Sequence, residues 1–167
     1  MNIHLVLVPL DGSMFAASVL PHVTELAREF QARIHLLRVV EPSIGGVPHL
    51  AIREAQEYVA GVADRLEADG VRDVVTSVWE GSPARAIVEV ARREPIDLIV
   101  MSTHGRSRLS RLLLGSVVEA VSRGTTCPLL LLRPSNASVY APSGPEPRPV
   151  PRRGTRQAGT ILEPPIQ

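Results

Sequence analysis

A chain of 167 residues, 44% hydrophobic and 21% charged, has the size and composition of one globular domain. Its net charge of +1 offers no electrostatic ground for nucleic acid or an anionic membrane as partner, and no apolar run reaches the roughly 18 residues of a membrane span. All 18 basic residues are arginine, which excludes a P-loop lysine, a Schiff base and the lysine a receiver domain keeps beside its phosphorylated aspartate.

In chain order, Ile3–Pro9 is a continuous apolar run ending at a turn, the pattern of a buried strand. Ser13 is placed to N-cap a helix reaching to about Gln31, which Pro21 should kink or restart. Ile34–Val40 predicts the second strand, followed by a loop through Gly45, Gly46 and Pro48. From Ala51 to Ala68, a helical stripe of Ile52, Ala55, Val59, Val62, Ala63 and Leu66 runs to a stop at Gly70. Val74–Trp79 is the third strand, with a turn at Glu80–Gly81. Ser82-Pro83 then opens a helix, serine as N-cap, whose buried face is Ile87, Val90 and Ala91 and which ends by Pro95. Ile96–Met101 is the fourth strand, Gly115–Arg123 lies within a helix whose start is unmarked, and Leu129–Leu132 is the fifth strand.

Aromatics are only 3% of the chain, so the core is expected to be aliphatic, which suits buried parallel strands. The order βαβαβαβαβ predicts an α/β fold: an open, doubly wound parallel five-stranded sheet with right-handed crossovers and helices on both faces. This domain spans residues 1–133. From Pro134 to Gln167 there are eight prolines, three glycines and the arginines Arg148, Arg152, Arg153 and Arg156, a stretch that supplies no core and reads as a disordered tail. One cysteine, Cys127, cannot form an intrachain disulfide and fits a reducing, cytoplasmic setting; a buried, unreactive thiol is expected there.

In open parallel sheets ligands bind beyond the carboxyl ends of the strands, where the strand order reverses. The segments to weigh are therefore Pro9 to Ser13, Val39 to Pro42, Trp79 to Gly81 and Ser102 to Arg106. Gly105, and Gly115-Ser116 at or near a helix start after an interval of nine residues, can form a phosphate cradle, because exposed helix-start N–H groups and the helix dipole both favour anions. Arg106, Arg108 and Arg111 add positive charge. From spacing alone, a surface loop whose glycines merely permit turns accounts for the pattern equally well.

Taken together, Pro9-Leu10-Asp11-Gly12-Ser13, then Leu37-Arg38-Val39, then Ser102-Thr103-His104-Gly105-Arg106 with Gly115-Ser116-Val117 resemble the universal stress protein family over Met1 to Arg133. The family's nucleotide signature is glycine, two residues, glycine, nine residues, glycine, then serine or threonine. Ser102 stands at its first glycine, Gly105 at the second and Gly115-Ser116 at the last pair. The resemblance implies a Rossmann-like sheet of strand order 3-2-1-4-5 and ATP as ligand, with any Mg2+ held mainly by the phosphates. Asp11 would accept from the ribose hydroxyls, and Pro9, Val39 and Met101 would line the adenine pocket. Backbone at Ser102, Gly105, Gly115, Ser116 and Val117 would hold the phosphates, with His104 and Arg106 beside them. Ser102 departs from the signature, and its side chain narrows the approach. A homodimer through the apolar last strand, Leu129–Leu132, is also implied.

The expected function is a nucleotide-binding, stress-responsive regulatory module with no catalytic residues, at most a slow ATP hydrolysis or self-phosphorylation. The alternative is an interaction member of the same family that binds no nucleotide. An adenylating enzyme would need a Ser-Gly-Gly-x-Asp-Ser type loop, which Leu10-Asp11-Gly12-Ser13 does not supply. His4, His22, His35 and His49 lack metal-ligand spacing, Trp79 reads as core, and no Ser/His/Asp arrangement is visible.

Overall fold

The computed structural model describes residues 2–42, 49–103 and 115–133. The elements run β1 (Leu5–Leu10), α1 (Met14–Ala17), α2 (Leu20–Phe30), β2 (Arg33–Val40), α3 (His49–Ala68), β3 (Val74–Glu80), α4 (Pro83–Arg93), β4 (Leu98–Ser102), α5 (Ser116–Gly124) and β5 (Leu129–Leu132). The five strands form one parallel sheet of order β3-β2-β1-β4-β5. Alternate strand residues serve opposite faces, as strand geometry requires. Val6, Val8, Ile34, Leu36 and Val100 meet Val23 and Ala27 of α2 and Val62 and Leu66 of α3. Leu7, Leu37, Val39, Ile99 and Met101 meet Ile87 and Val90 of α4 and Val118 and Val121 of α5. The sheet is doubly wound, with α1 to α3 on one face and α4 and α5 on the other.

Several boundaries have local causes. Ser13 does cap α1, its Oγ accepting from the Ala16 N–H at 3.1 Å. The helix breaks at Ser18 and restarts at Leu20, with Pro21 in the first turn, where its missing N–H costs nothing. α3 ends in a Schellman arrangement: Gly70, at φ +87°, donates to Glu67 O at 2.9 Å, and Val71 donates to Leu66 O at 2.9 Å. β1 starts at Leu5 rather than Ile3 because the N–H groups of His4 and Leu5 donate to the Asp97 carboxylate, at 2.7 and 3.0 Å. These two donors hold the Asp97 carboxyl below the usual carboxylate range. Ser82 occupies the N-cap position of α4, but its side chain makes no capping bond; Ala86 N donates to Ser82 O, and Pro83 sets the start. The loop around Gly45, Gly46 and Pro48, and the tail 134–167, lie outside the described residues. No helix among the described residues is long and apolar enough to cross a membrane.

Candidate functional site

The strand order reverses between β1 and β4, and the chain opens there into a cleft of about 700 Å³ beyond the carboxyl ends of the strands. β1 delivers Pro9 and, past its end, Asp11 and Gly12; β2 delivers Val39; β4 delivers Met101 and Ser102. Gly115, Ser116 and Val117, at the start of α5, close the opposite wall. Thus eight residues singled out in the sequence, contributed by four separate elements, line one cavity. His104, Gly105 and Arg106, with Arg108 and Arg111, lie outside the described residues.

The walls divide into apolar and polar parts. Val39 and Met101, each 6% exposed, are packed into the α4 and α5 side of the core and present a rigid aliphatic floor. Asp11 sits just past β1, its Oδ1 accepting from Ser13 N at 2.8 Å and Ser13 Oγ at 2.6 Å. This Asx-type turn holds the carboxylate at the cleft mouth. Ser102 ends β4 and is 8% exposed.

At α5 the structure refines the sequence reading. Gly115 is the N-cap, at φ −55° and ψ 146°, without a side-chain cap. Its own N–H donates to Thr103 O at 3.2 Å, so it is already used within the loop, and its carbonyl accepts from Glu119 N at 3.0 Å. The donors that an α-helix leaves without intrahelical acceptors are therefore those of Ser116, Val117 and Val118. They point with the positive end of the helix dipole, at the cleft wall.

The sequence reading missed the contribution of α3. Ala51, Glu54, Ala55 and Tyr58 line the cleft, together with Arg38 within β2 and Glu41 just after it. The signal was present, because positions 51, 54, 55 and 58 themselves form an i, i+3, i+4, i+7 stripe offset from the core stripe. Among the described residues the buried Tyr58 hydroxyl meets no hydrogen-bond partner. Burial, then the Asp11 charge, pushes this phenol above its usual range, while Arg38 and Arg65 pull it down. An unpaired buried hydroxyl costs about 1–3 kcal/mol. Tyr58→Phe is thus expected to raise the melting temperature of the unliganded chain by about 2–5 °C, read by thermal denaturation; a lower melting temperature would show that the hydroxyl is paired.

The other sequence candidates fall outside the cleft. His4, His22 and His49 are exposed, and among the described residues no group of three side chains could hold a metal ion. Trp79 packs against the α4 side of the core under the Arg93 guanidinium, 5.7 Å from the ring centre. Cys127 is half-buried, its thiol donating to Ile96 O at 3.3 Å, and burial pushes that thiol up.

Comparison with known proteins follows the same outline. The sequence profile described as the universal stress protein family matches residues 2–133. A universal stress protein of Methanocaldococcus jannaschii is 36% identical over 138 residues, covering 77% of this chain and 81% of the relative. The structure of universal stress protein UspA from Lactobacillus plantarum superposes with a TM-score of 0.69 at 25% identity, over 80% of this chain and 99% of that one. A universal stress protein solved in complex with cAMP superposes with a TM-score of 0.67 at 23% identity, over 81% and 100% of the two chains.

Proposed function

This chain belongs to the universal stress protein family, and from that premise we propose that its cleft binds an adenine nucleotide, ATP foremost, and that the protein works as a nucleotide-responsive regulatory module. One observation carries the reading: four elements bring Pro9, Asp11, Val39, Met101, Ser102, Gly115, Ser116 and Val117 to a single cavity at the switch point. The parts also match a nucleotide chemically. An aliphatic floor suits a base, a turn-held carboxylate suits the ribose hydroxyls, and a helix start whose N–H groups lack intrahelical acceptors suits phosphate. A universal stress protein solved in complex with cAMP shares this fold, which supports an adenine nucleotide as the ligand.

Within this reading Asp11 accepts from the ribose, the N–H groups of Ser116 and Val117 donate to phosphate, and His104, Gly105 and Arg106 are proposed as further phosphate contacts. Any Mg2+ rides mainly on the phosphates. The Ser102 side chain, buried at the end of β4, narrows the pocket without filling it. Protein purified from cells, denatured and examined by mass spectrometry, is expected to release an adenine nucleotide; release of a ligand of another class, such as a flavin, contradicts the assignment.

The cytoplasmic, homodimeric form is part of the same proposal. β5 is the sheet edge, and its four residues, Leu129–Leu132, are all half-buried. Leu130 and Leu132 lean toward one core layer, Leu129 and Leu131 toward the other. An edge strand so apolar invites pairing with a second copy across a two-fold axis. Light scattering at micromolar concentration is expected to report twice the chain mass, and Leu130→Asp to give monomer or insoluble protein. An unchanged dimer would place the interface elsewhere.

A further inference from the structure

The α4 side of the sheet carries a second polar constellation, set back from the carboxyl ends of the strands and separate from the cleft. His35 on β2 is 5% exposed among aliphatic neighbours on its face. Its Nε2 lies 2.7 Å from Ser77 Oγ on β3, and its Nδ1 lies 2.8 Å from Oε2 of Glu94, the residue that caps the end of α4. The chemistry of the groups orients the protons. A glutamate carboxylate only accepts, so Nδ1 carries the hydrogen and donates to Glu94. In the neutral ring Nε2 is then the acceptor, and the Ser77 hydroxyl donates to it. Nucleophile, base and orienting carboxylate stand in the sequence that activates a serine.

Exposure is graded the same way. The imidazole is sealed in, 6% exposed, whereas Glu94 is 39% exposed at the rim. Ser77 is half-buried on β3, the outer strand of the sheet. Val75 and Trp79, two residues either side, share its face. Val75 is 37% exposed, so the approach to Ser77 is apolar.

We propose that Ser77 is a reactive serine, with His35 as its base and Glu94 as a positioning residue, and that it accepts small apolar acyl groups from activated esters. Ser77 Oγ bonds to the acyl carbon while its proton passes to His35 Nε2. The carbon–oxygen bond to the leaving group breaks, and that oxygen takes the proton from His35. The products are acyl-Ser77 and a free alcohol. Water, deprotonated by the same Nε2, then releases the carboxylic acid and restores the hydroxyl.

The test is reaction of the full chain with an alkyl fluorophosphonate, in which an Oγ–P bond replaces the P–F bond and HF is lost. Intact-mass and peptide analysis are expected to find one adduct per chain, on Ser77. Ser77→Ala is expected to take none while binding nucleotide as wild type does. Replacing buried His35 can unfold the chain, so Glu94→Gln at the rim provides the second variant; its amide oxygen still accepts from Nδ1 but without charge. Its labelling is expected to slow by on the order of a hundredfold at an unchanged melting temperature. No adduct, an adduct elsewhere, or equal labelling rates in wild type and folded Glu94→Gln would overturn the proposal.

Discussion

Gly115→Val is expected to abolish nucleotide binding while the fold survives. The backbone there, φ −55° and ψ 146°, is open to any L-residue, so no strain follows from losing glycine. Among the described residues a β-carbon would meet only Thr103 O, at 3.5 Å, an ordinary contact. The fold therefore has little reason to require glycine at this N-cap. A phosphate seated on the N–H groups of Ser116 and Val117 does, because the valine branches would occupy the ground it needs. Calorimetric titration with ATP should show affinity falling at least about 100-fold, equivalent to about 2.7 kcal/mol. The melting temperature should drop by no more than about 5 °C, since glycine is only a moderately better N-cap than valine. A variant that binds as wild type does would mean that the phosphates sit elsewhere.

Asp11→Ala is expected to weaken nucleotide binding by about 1–3 kcal/mol, roughly 5- to 150-fold, the range for removing a charged hydrogen-bond partner. The structure adds a second consequence. Because Asp11 Oδ1 accepts from both the N–H and the hydroxyl of Ser13, alanine also loosens the turn that starts α1. Asp11→Asn separates the two effects. Its amide oxygen can keep the Ser13 bonds, but its NH2 group cannot accept from a ribose hydroxyl. Asparagine should therefore bind as weakly as alanine yet melt close to wild type. If asparagine restores full affinity, the carboxylate serves the turn and not the ligand.

The fold was largely legible because each signal was local. Apolar runs marked the strands, Ser13 and Gly70 marked helix ends, and β5 was read to the residue. The misplaced boundaries came from long-range bonds that no window of sequence contains. Asp97 takes the N–H groups of residues 92 and 93 positions away and so delays β1. The start of α5 was hidden because Gly115 caps it without a side chain, leaving no serine or aspartate to read.

The site was legible where the chain ends a strand, at Pro9, Asp11, Val39, Met101 and Ser102, because parallel sheets place their sites there. It was missed where a helix lends its side, as at Tyr58 and Glu54, because only the docking of α3 shows that this second stripe faces the cleft. The Ser77, His35 and Glu94 chain was out of reach for the same reason: its members are 42 and 59 positions apart, joined only by strand register and the end of α4.

Calorimetric titration of the unmodified chain with ATP tests the central claim most directly. One saturable site per chain, with a dissociation constant below about 1 mM, is the expected result. No saturable heat at millimolar ATP would contradict it, and the cleft would then belong to an interaction module that binds no nucleotide.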